Sequence, residues 1–337
     1  MENSKYKRVF ITGALGFIGR ALAARYRELG VEVRGVDLQA APEANVVAGD
    51  IAEPGEWSHH MEGCDLVIHT AAIVSNNVDL AVAWHANVVG TQKVLEAAIN
   101  ARARRFVFFS SAGVVRFANV FPAEAERFNP GRELDERWPL MPIGNPYVDT
   151  KTAAEHLVLA AHASGEMACT IVRPADVYGP GSRPWVMEPL KLIRKGTFLL
   201  SAHGKGLHTP IYMDDLVDGV CIAAEKDEGL GQIFLIGGEK AVTTVDYFSY
   251  FYRMLGKPGK PPCFSTPVAI AIAEAVRLLI ILTGKHTELG KGVMLMFAKS
   301  RAYSNAKTRR LLKWEPKVDL DEGMRRTEAW LRSQGIL

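Results

Sequence analysis

Tyr147 and Lys151 are the two residues of this chain whose types and spacing best suit proton transfer. They stand four positions apart in the segment PYVDTK, where Pro146 suits the start of a helix, so both side chains would share one helix face. A lysine ammonium near a phenol favours the phenolate and would lower the tyrosine pKa from about 10 towards neutrality. Such a tyrosine exchanges a proton with an alcohol or a ketone. Taken alone, such a pair is also common on exposed helix faces that have no catalytic role.

Ser110 and Ser111 directly follow the apolar run Phe-Val-Phe-Phe, which is typical of a buried strand. Ligands of parallel sheets bind at the carboxyl ends of the strands, so a hydroxyl here would face the reacting carbonyl. A neutral donor at that place polarises a carbonyl oxygen alongside the tyrosine. The alternative is that both serines only cap the end of the strand.

A phosphate site is indicated near the N-terminus, where KRVFITGALGFIGRAL joins a β-branched run, three glycines and the beginning of a helical pattern. Gly13 permits a tight turn, Gly16 leaves room for a pyrophosphate, and Gly19 lets helix and strand pack closely. The helical pattern begins at Phe17 and Ile18, whose end of the helix offers free backbone N–H groups to a phosphate. The pattern predicts a dinucleotide-binding turn.

The cofactor type is indicated by Asp37, which ends the strand-like run VEVRGVD eighteen residues beyond Gly19. A carboxylate at that tip accepts hydrogen bonds from both ribose hydroxyls of adenosine and repels a 2′-phosphate. The sequence therefore favours NAD over NADP. An ordinary acid at a strand end is the alternative explanation.

The elements that must position these residues alternate between strand and helix patterns. The strand patterns cover residues 9–12, 31–37, 46–48, 66–70, 106–110 and 169–173, and the longest helical patterns cover 80–101 and 147–163. Repeated β-α-β units predict an α/β fold with a Rossmann-type, doubly wound parallel sheet and a smaller, mostly helical C-terminal lobe. The predicted division is an NAD-binding domain, 1–173 plus 208–237, and a substrate-binding lobe, 174–207 plus 238–337.

Length and composition are those of an ordinary globular protein, with 337 residues, 48% apolar residues, 23% charged residues and a net charge of +3. The basic residues are scattered, so no nucleic-acid partner is expected. The four cysteines lie far apart without metal-ligand spacing, so no metal is expected either. MENSKYKR leads directly into the first strand and leaves no room for a signal peptide, so a reduced, cytoplasmic protein is expected.

One apolar segment needs separate interpretation. Residues 266–282, TPVAIAIAEAVRLLIIL, are interrupted by Glu274 and Arg277, whereas a membrane-spanning helix needs about twenty apolar residues with few or no charges. We interpret the segment as a helix that is buried or lies against a substrate. Contact with a membrane surface is the less favoured alternative.

Along nearly its whole length the sequence resembles the extended short-chain dehydrogenase/reductase family, the NAD-dependent epimerase/dehydratase superfamily. Seven motifs follow in the family's order: TGALGFIG, GDI, HTAA, NVVGTQKVLEAA, SSAGV, YVDTK and RPADVYGPG. The resemblance implies that Tyr147 is the acid/base and that Ser111 orients the reacting oxygen. It also implies that Lys151 holds the nicotinamide ribose and lowers the pKa of the tyrosine.

The resemblance implies further contacts around the cofactor. The residues concerned are Asp50 and Ile51 at the adenine, Ala71 and Ala72 in HTAA (69–72) along the adenosine ribose, and Pro174 and Val177 at the nicotinamide, with Tyr147 and Lys151. Asn87 would support the hydrogen bonding of the active site. The helices at 80–101 and 147–163 would pair with their copies, which implies a homodimer.

Departures from other branches of the family favour a hydrophobic substrate. Ala112 and Gly113 follow the serine where sugar-nucleotide 4,6-dehydratases carry an Asp-Glu pair, and His208 stands near the place of an arginine that grips the diphosphate in epimerases. The apolar stretches 261–282 and 293–297 suit a sterol or alkyl chain, although packing of the lobe core explains them about equally well. This arrangement resembles the 3β-hydroxysteroid dehydrogenase-like branch.

The sequence thus predicts an NAD-dependent oxidoreductase that transfers a hydride between nicotinamide and a secondary alcohol or ketone. Its substrate would be small, hydrophobic and similar to a 3β-hydroxysteroid. The alternatives are a nucleotide-sugar epimerase or reductase with tightly bound NAD and, less favoured, a non-catalytic NAD-sensing protein. A sensor has no need of the intact Ser111, Tyr147 and Lys151.

Overall fold

The computed structural model describes residues 4–53, 55–115, 126, 133–284 and 287–337. Its strands are β1 (Arg8–Thr12), β2 (Glu32–Asp37), β3 (Val46–Ala48), β4 (Leu66–His69), β5 (Arg105–Phe109), β6 (Cys169–Pro174), β7 (Asp176–Tyr178), β8 (Leu207–His208), β9 (Pro210–Tyr212), β10 (Ile233–Ile236) and β11 (Val242–Thr243). Seven of them form one parallel sheet in the order β3-β2-β1-β4-β5-β6-β10. The predicted Rossmann-type sheet is confirmed.

Helices cover the sheet and build the C-terminal lobe. They are α1 (Phe17–Glu28), α2 (Leu80–Trp84), α3 (Gly90–Asn100), α4 (Pro146–Ala163), α5 (Glu188–Arg194), α6 (Met213–Glu225), α7 (Thr244–Met254), α8 (Thr266–Leu282), α9 (Lys291–Phe297), α10 (Ala306–Leu312) and α11 (Leu320–Ser333). Two small sheets complete the fold, with β7 parallel to β9 and β8 antiparallel to β11.

The sheet creates the crevice in which a cofactor would bind. Strands β4, β5 and β6 are buried at every position, as expected for parallel strands covered on both faces. The strand order reverses beside β1, which pairs with β2 on one side and β4 on the other. Ligands of such sheets bind at this switch point, outside the carboxyl ends of the strands.

Two local features differ from the predicted pattern. The single helix predicted over 80–101 is divided by a π-helical turn, His85–Val89, between α2 and α3. Helix α5 lies in a Pro- and Gly-rich region that the sequence pattern leaves irregular. Pro189 stands in the first turn of α5, where a missing N–H breaks no helical hydrogen bond.

The C-terminal lobe has its own apolar core, to which β7, α5, α7, α8, α9 and α11 contribute. Met294 is 1% exposed within this core, so its side chain serves packing. From the sequence, packing and substrate contact explained this apolar stretch about equally well. The predicted domain boundaries stay a prediction.

Helix α8 packs on this core with small side chains, since its fully buried residues are Ala269 and Ala273. Larger apolar side chains face outward: Val268 (47% exposed), Leu278 (57%), Leu279 (64%), Ile281 (46%) and Leu282 (82%). The predicted burial of this segment is therefore wrong for its outer face, because a helix that is apolar all round carries no signal for which side is covered. Its alternative, contact with a substrate, stays a prediction. Among the described residues, no helix combines the length and hydropathy needed to cross a membrane.

Candidate active site

Tyr147 is the second residue of α4, and the start of this helix is firmly held. Pro146 occupies the first helical position, and the Asn145 side chain accepts the backbone N–H of Val148 at 3.0 Å. The Asn145 side-chain amide also donates to Asn76 Oδ1 at 2.9 Å. The N-terminus of α4 is thereby tied to the loop after β4.

Tyr147 and Ser111 are neighbours at the site, where the Ser111 hydroxyl favours the phenolate of Tyr147. Ser111 Oγ is itself fixed, because it accepts the backbone N–H of Gly113 at 3.0 Å. Burial raises the pKa of the Tyr147 phenol, and the neighbouring Ser111 hydroxyl offsets part of that rise. In the chain alone the pKa thus shifts upward, opposite to the lowering predicted from Lys151, because desolvation outweighs the effect of Ser111.

Lys151 lies one turn after Tyr147 in α4 and is buried, with only 2% of its surface exposed. Its Nζ lies 4.2 Å from the centroid of the Phe108 ring and makes no hydrogen bond to any residue that the structure describes. Burial lowers its pKa to about 7, although the nearby Glu155 carboxylate raises it. A buried amine with unused donors suits the binding of ribose hydroxyls.

Asn87 lies in the π-helical turn and connects two parts of the site. Its Oδ1 accepts the Ile73 N–H at 2.8 Å, and its Nδ2 donates to the Ile73 carbonyl at 3.1 Å and to Thr150 Oγ1 at 3.0 Å. Thr150 in turn donates to the Pro146 carbonyl at 2.7 Å. Asn87 therefore holds both the loop after β4 and the helix that carries Tyr147.

His69 lies behind Asn87 in a fully buried chain of polar groups. Its Nδ1 is 2.6 Å from Thr12 Oγ1 and its Nε2 is 2.9 Å from Thr91 Oγ1. Because the Thr91 hydroxyl donates to the Asn87 carbonyl at 2.5 Å, this pattern assigns the ring proton to Nε2. Burial, aided by the charge of Lys151, lowers the His69 pKa well below its usual value, so the ring is neutral.

This position corrects part of the sequence interpretation of HTAA. A fully buried His69 cannot lie along a ribose, whereas Ala71 and Ala72 are partly exposed at the crevice. The sequence did not indicate His69 as a link between β1 and the active-site helix, because its two partners lie 57 and 22 residues away.

The turn after β1 has the geometry that a pyrophosphate needs. Gly13 has φ +65°, and a Cβ there would come within 2.9 Å of the backbone after β4. A Cβ on Gly19 would meet the Gly13 carbonyl oxygen at 2.1 Å, so only glycine permits this close packing. Gly16 caps α1 without a side-chain hydrogen bond, which leaves the N–H groups at Phe17 and Ile18 available to an anion.

Asp37 reaches back to the same turn. Its carboxylate accepts the backbone N–H groups of Leu15 at 2.9 Å and Leu38 at 2.8 Å. It is partly exposed, so its remaining lone pairs can accept ribose hydroxyls. The residues that follow, Leu38 and Gln39, offer no cation for a 2′-phosphate.

The remaining predicted cofactor contacts differ in accessibility. Asp50 is exposed after β3, whereas the Ile51 side chain packs inward, where a Cβ on Gly90 would meet it at 2.9 Å. Only the backbone of Ile51 is thus free to face the crevice. Pro174 and Val177 are buried, at the end of β6 and in β7.

Ser110 supplies an independent sign that this crevice receives a ligand. It directly follows β5 with 4% exposure, and its hydroxyl has no hydrogen-bond partner among the described residues. An unsatisfied buried polar group costs about 1–3 kcal/mol, which a bound polar group would recover. With the glycine turn and the free Lys151 amine, the residues present fit a dinucleotide.

A family model described as the NAD dependent epimerase/dehydratase family matches residues 9–237. The chain belongs to this family. Its relatives include the 4-hydroxy-2-methyl-3-oxo-4-farnesyl-3,4-dihydroquinoline-1-oxide ketoreductase of Stigmatella aurantiaca, 26% identical over 94% of each chain. Another is the decarboxylating sterol-4-alpha-carboxylate 3-dehydrogenase of Saccharomyces cerevisiae, 25% identical over 97% of this chain and 99% of the relative.

The fold of this family member is also that of a solved enzyme with UDP-glucose, the UDP-glucose 4-epimerase of Thermotoga maritima. The two superpose with a TM-score of 0.78 at 22% identity, over 97% of this chain and 99% of the epimerase. At this identity the likeness concerns the fold alone.

Proposed function

We propose that this protein is an NAD-dependent oxidoreductase acting on a secondary alcohol or ketone of a hydrophobic, 3β-hydroxysteroid-like substrate. The observation that carries the proposal is the placement of Ser111 beside Tyr147, with the buried Lys151 one turn further along α4. The family supports the nicotinamide chemistry, and the names of the ketoreductase and of the sterol dehydrogenase support the substrate class.

Bound NAD would supply the hydride acceptor or donor in this reaction. In the oxidative direction Tyr147 takes the proton of the substrate hydroxyl while the carbinol C–H bond breaks and its electron pair leaves as hydride. Ser111 then holds the new carbonyl oxygen. Lys151 would hold the nicotinamide ribose, and in its charged form it would favour the phenolate. In the reductive direction each of these transfers is reversed.

A hydrophobic substrate is supported by the lobe beside the catalytic helix. Helix α9 begins next to the site, since a Cβ on Gly292 would lie 3.4 Å from Asn76 and 3.7 Å from the Asn145 amide. Val293 and Met296 of α9 are partly buried, whereas Met294 packs in the core. The α9 face with Val293 and Met296 is therefore the proposed apolar wall.

The activity is tested by mixing the protein with NAD and a panel of 3β-hydroxysteroids while following the absorbance of reduced nicotinamide. We expect turnover with at least one steroid, and Tyr147→Phe should lower it roughly 10²–10⁴-fold with NAD affinity nearly unchanged. Tyr252→Phe, in the lobe, is the matched control and should keep full activity.

Two results would contradict this proposal. If Tyr147→Phe loses its folded structure or its NAD affinity, the tyrosine is structural. If steroids give no turnover but a UDP-sugar panel changes the signal of a retained cofactor, the epimerase alternative replaces it.

We also propose NAD rather than NADP as the cofactor, on the position of Asp37 beside the glycine turn. Asp37→Ala removes charge-assisted hydrogen bonds, so it should weaken NAD roughly tenfold or more and relax discrimination against NADP. Steady-state kinetics with both cofactors measure the ratio, with the exposed Glu43→Ala as control. An unchanged ratio would remove Asp37 from cofactor selection.

A homodimer is proposed through α2, α3 and α4. Val82 and Trp84 of α2 are 51% and 45% exposed, which leaves apolar surface for a second copy. Light scattering should give the mass of a dimer, and Val82→Glu with Trp84→Glu should give a monomer. A monomeric wild-type protein would refute this arrangement.

A further inference from the structure

Helix α8 presents to solvent the kind of surface that helices normally bury. The outward stripe follows helical spacing through Val268, Ala271, Ala275, Leu278 and Leu282, all exposed. The inward face is made of alanines at 0% exposure. Apolar surface of this extent, rimmed by polar residues, marks an interaction site.

The two charged residues of α8 do not interrupt this stripe. Arg277 Nε donates to Glu274 at 2.8 Å, and the same carboxylate accepts the backbone N–H of Lys291 at 2.7 Å. These contacts turn both side chains sideways, towards the beginning of α9. The outer stripe is left without a charge, so its partner must be apolar.

The surroundings of α8 identify the partner further. The described residues 257–284 and 287–291 contain four basic and two acidic residues, so the segments on either side of α8 carry an excess of positive charge. A second copy docked on this face would bring like charges together, whereas an anionic surface complements them. We propose that α8 docks the protein on the surface of an anionic lipid bilayer.

The dimensions of α8 suit this occupant. Its 17 residues span about 25 Å, too short and too charged to cross a bilayer but long enough to lie in its surface plane. In that position the Leu278–Leu282 end would enter the acyl boundary, and the exposed Lys260, which precedes α8 in the chain, would meet lipid phosphates.

The docked face also lies beside the catalytic crevice. The segment after α8 is held to the loop after β4, since Ser75 Oγ donates to Glu288 at 2.6 Å and the Asn77 amide donates to the Thr287 carbonyl at 3.0 Å. Docking therefore places the loop that anchors Asn145 close to the lipid. The inference rests on α8 and the charges that flank it, and it does not require the proposed substrate.

The test is flotation of the full chain with vesicles of phosphatidylcholine, alone or mixed with phosphatidylserine, without substrate. We expect the protein to float with the mixed vesicles and less at high salt, and Leu278→Gln with Leu282→Gln to lower the bound fraction roughly tenfold or more. Leu230→Gln, an exposed leucine outside α8, is the matched control and should float like the wild type.

Unchanged melting temperature and NAD affinity of the double variant show that the loss concerns docking. The proposal is overturned if the wild type does not float, or if the double variant floats as well. Equal flotation with neutral vesicles overturns the requirement for anionic lipid. A lower oligomeric mass of the double variant, without vesicle binding by either protein, assigns the face to a second copy.

Discussion

Helices α4 and α8 have nearly equal lengths, 18 and 17 residues, and depart from amphipathic patterning in opposite directions. Helix α4 buries polar side chains, among them Thr150, Lys151 and Glu155. Helix α8 exposes leucines and buries alanines. Thr150 and Lys151 of α4 belong to the candidate site, Glu155 pairs with Arg173, and the outward leucines of α8 indicate a partner.

The contrast shows that a buried polar residue or an exposed apolar residue can be interpreted only when its contacts are known. In α4 the buried Glu155 accepts the Arg173 Nε at 3.1 Å and makes a second, shorter contact with the same guanidinium. In α8 the outward side chains have no comparable polar or apolar cover among the described residues. The buried carboxylate of α4 thus has its partner within the fold, whereas the outward leucines of α8 do not.

The largest effect on this comparison should come from breaking the buried pair of α4. Glu155→Ala leaves the Arg173 guanidinium buried and uncompensated, which costs about 3–5 kcal/mol of unfolding free energy. Chemical denaturation measures it, with the exposed Glu166→Ala as control. A loss as small as that of the control would mean that Arg173 finds another partner.

The next effect concerns the pH dependence that Lys151 confers. Burial lowers its pKa to about 7, while the unfolded chain keeps this proton up to about pH 10. Between about pH 7 and about pH 10, folding therefore releases this proton. In that range Lys151 makes the unfolding free energy rise with pH, by up to about 1.4 kcal/mol per pH unit.

The stability of Lys151→Met relative to wild type should therefore change across this window. The advantage of the variant is expected to shrink from pH 7 to pH 9, measured by denaturation without cofactor. A constant difference between the two proteins would show that the Lys151 amine is neutral or charged in both states.

The smallest effects should separate the two faces of α8. Ala273→Leu overpacks the inner face and costs about 1–3 kcal/mol. Leu278→Gln on the outer face should change the unfolding free energy by less than about 0.5 kcal/mol. Equal losses at both positions would mean that the outer face is covered within the protein itself.

Much of the nucleotide half of the fold follows from local pattern. The glycine turn and the apolar runs predict the sheet, because each strand is buried as a continuous stretch. The spacing of Tyr147 and Lys151 also predicts their shared helix face. These features depend on residues close together in the chain.

What the sequence did not predict depends on distant contacts. The pKa of Tyr147 shifts upward because of burial, which spacing does not show. The neutral His69 is fixed by two threonines on separate elements. The outward face of α8 is likewise set by the lobe core, since apolar composition without periodicity carries no orientation.

The π-helical turn at His85–Val89 has a consequence for the length of its helix. The Gly90 N–H donates to the His85 carbonyl five residues earlier, so the turn holds one residue more than an α-helix would. Deleting one residue there would rotate Leu80–Trp84 by about 100° and shift it by about 1.5 Å along the axis. A single inserted residue thus sets both the direction of Asn87 and the surface that α2 presents.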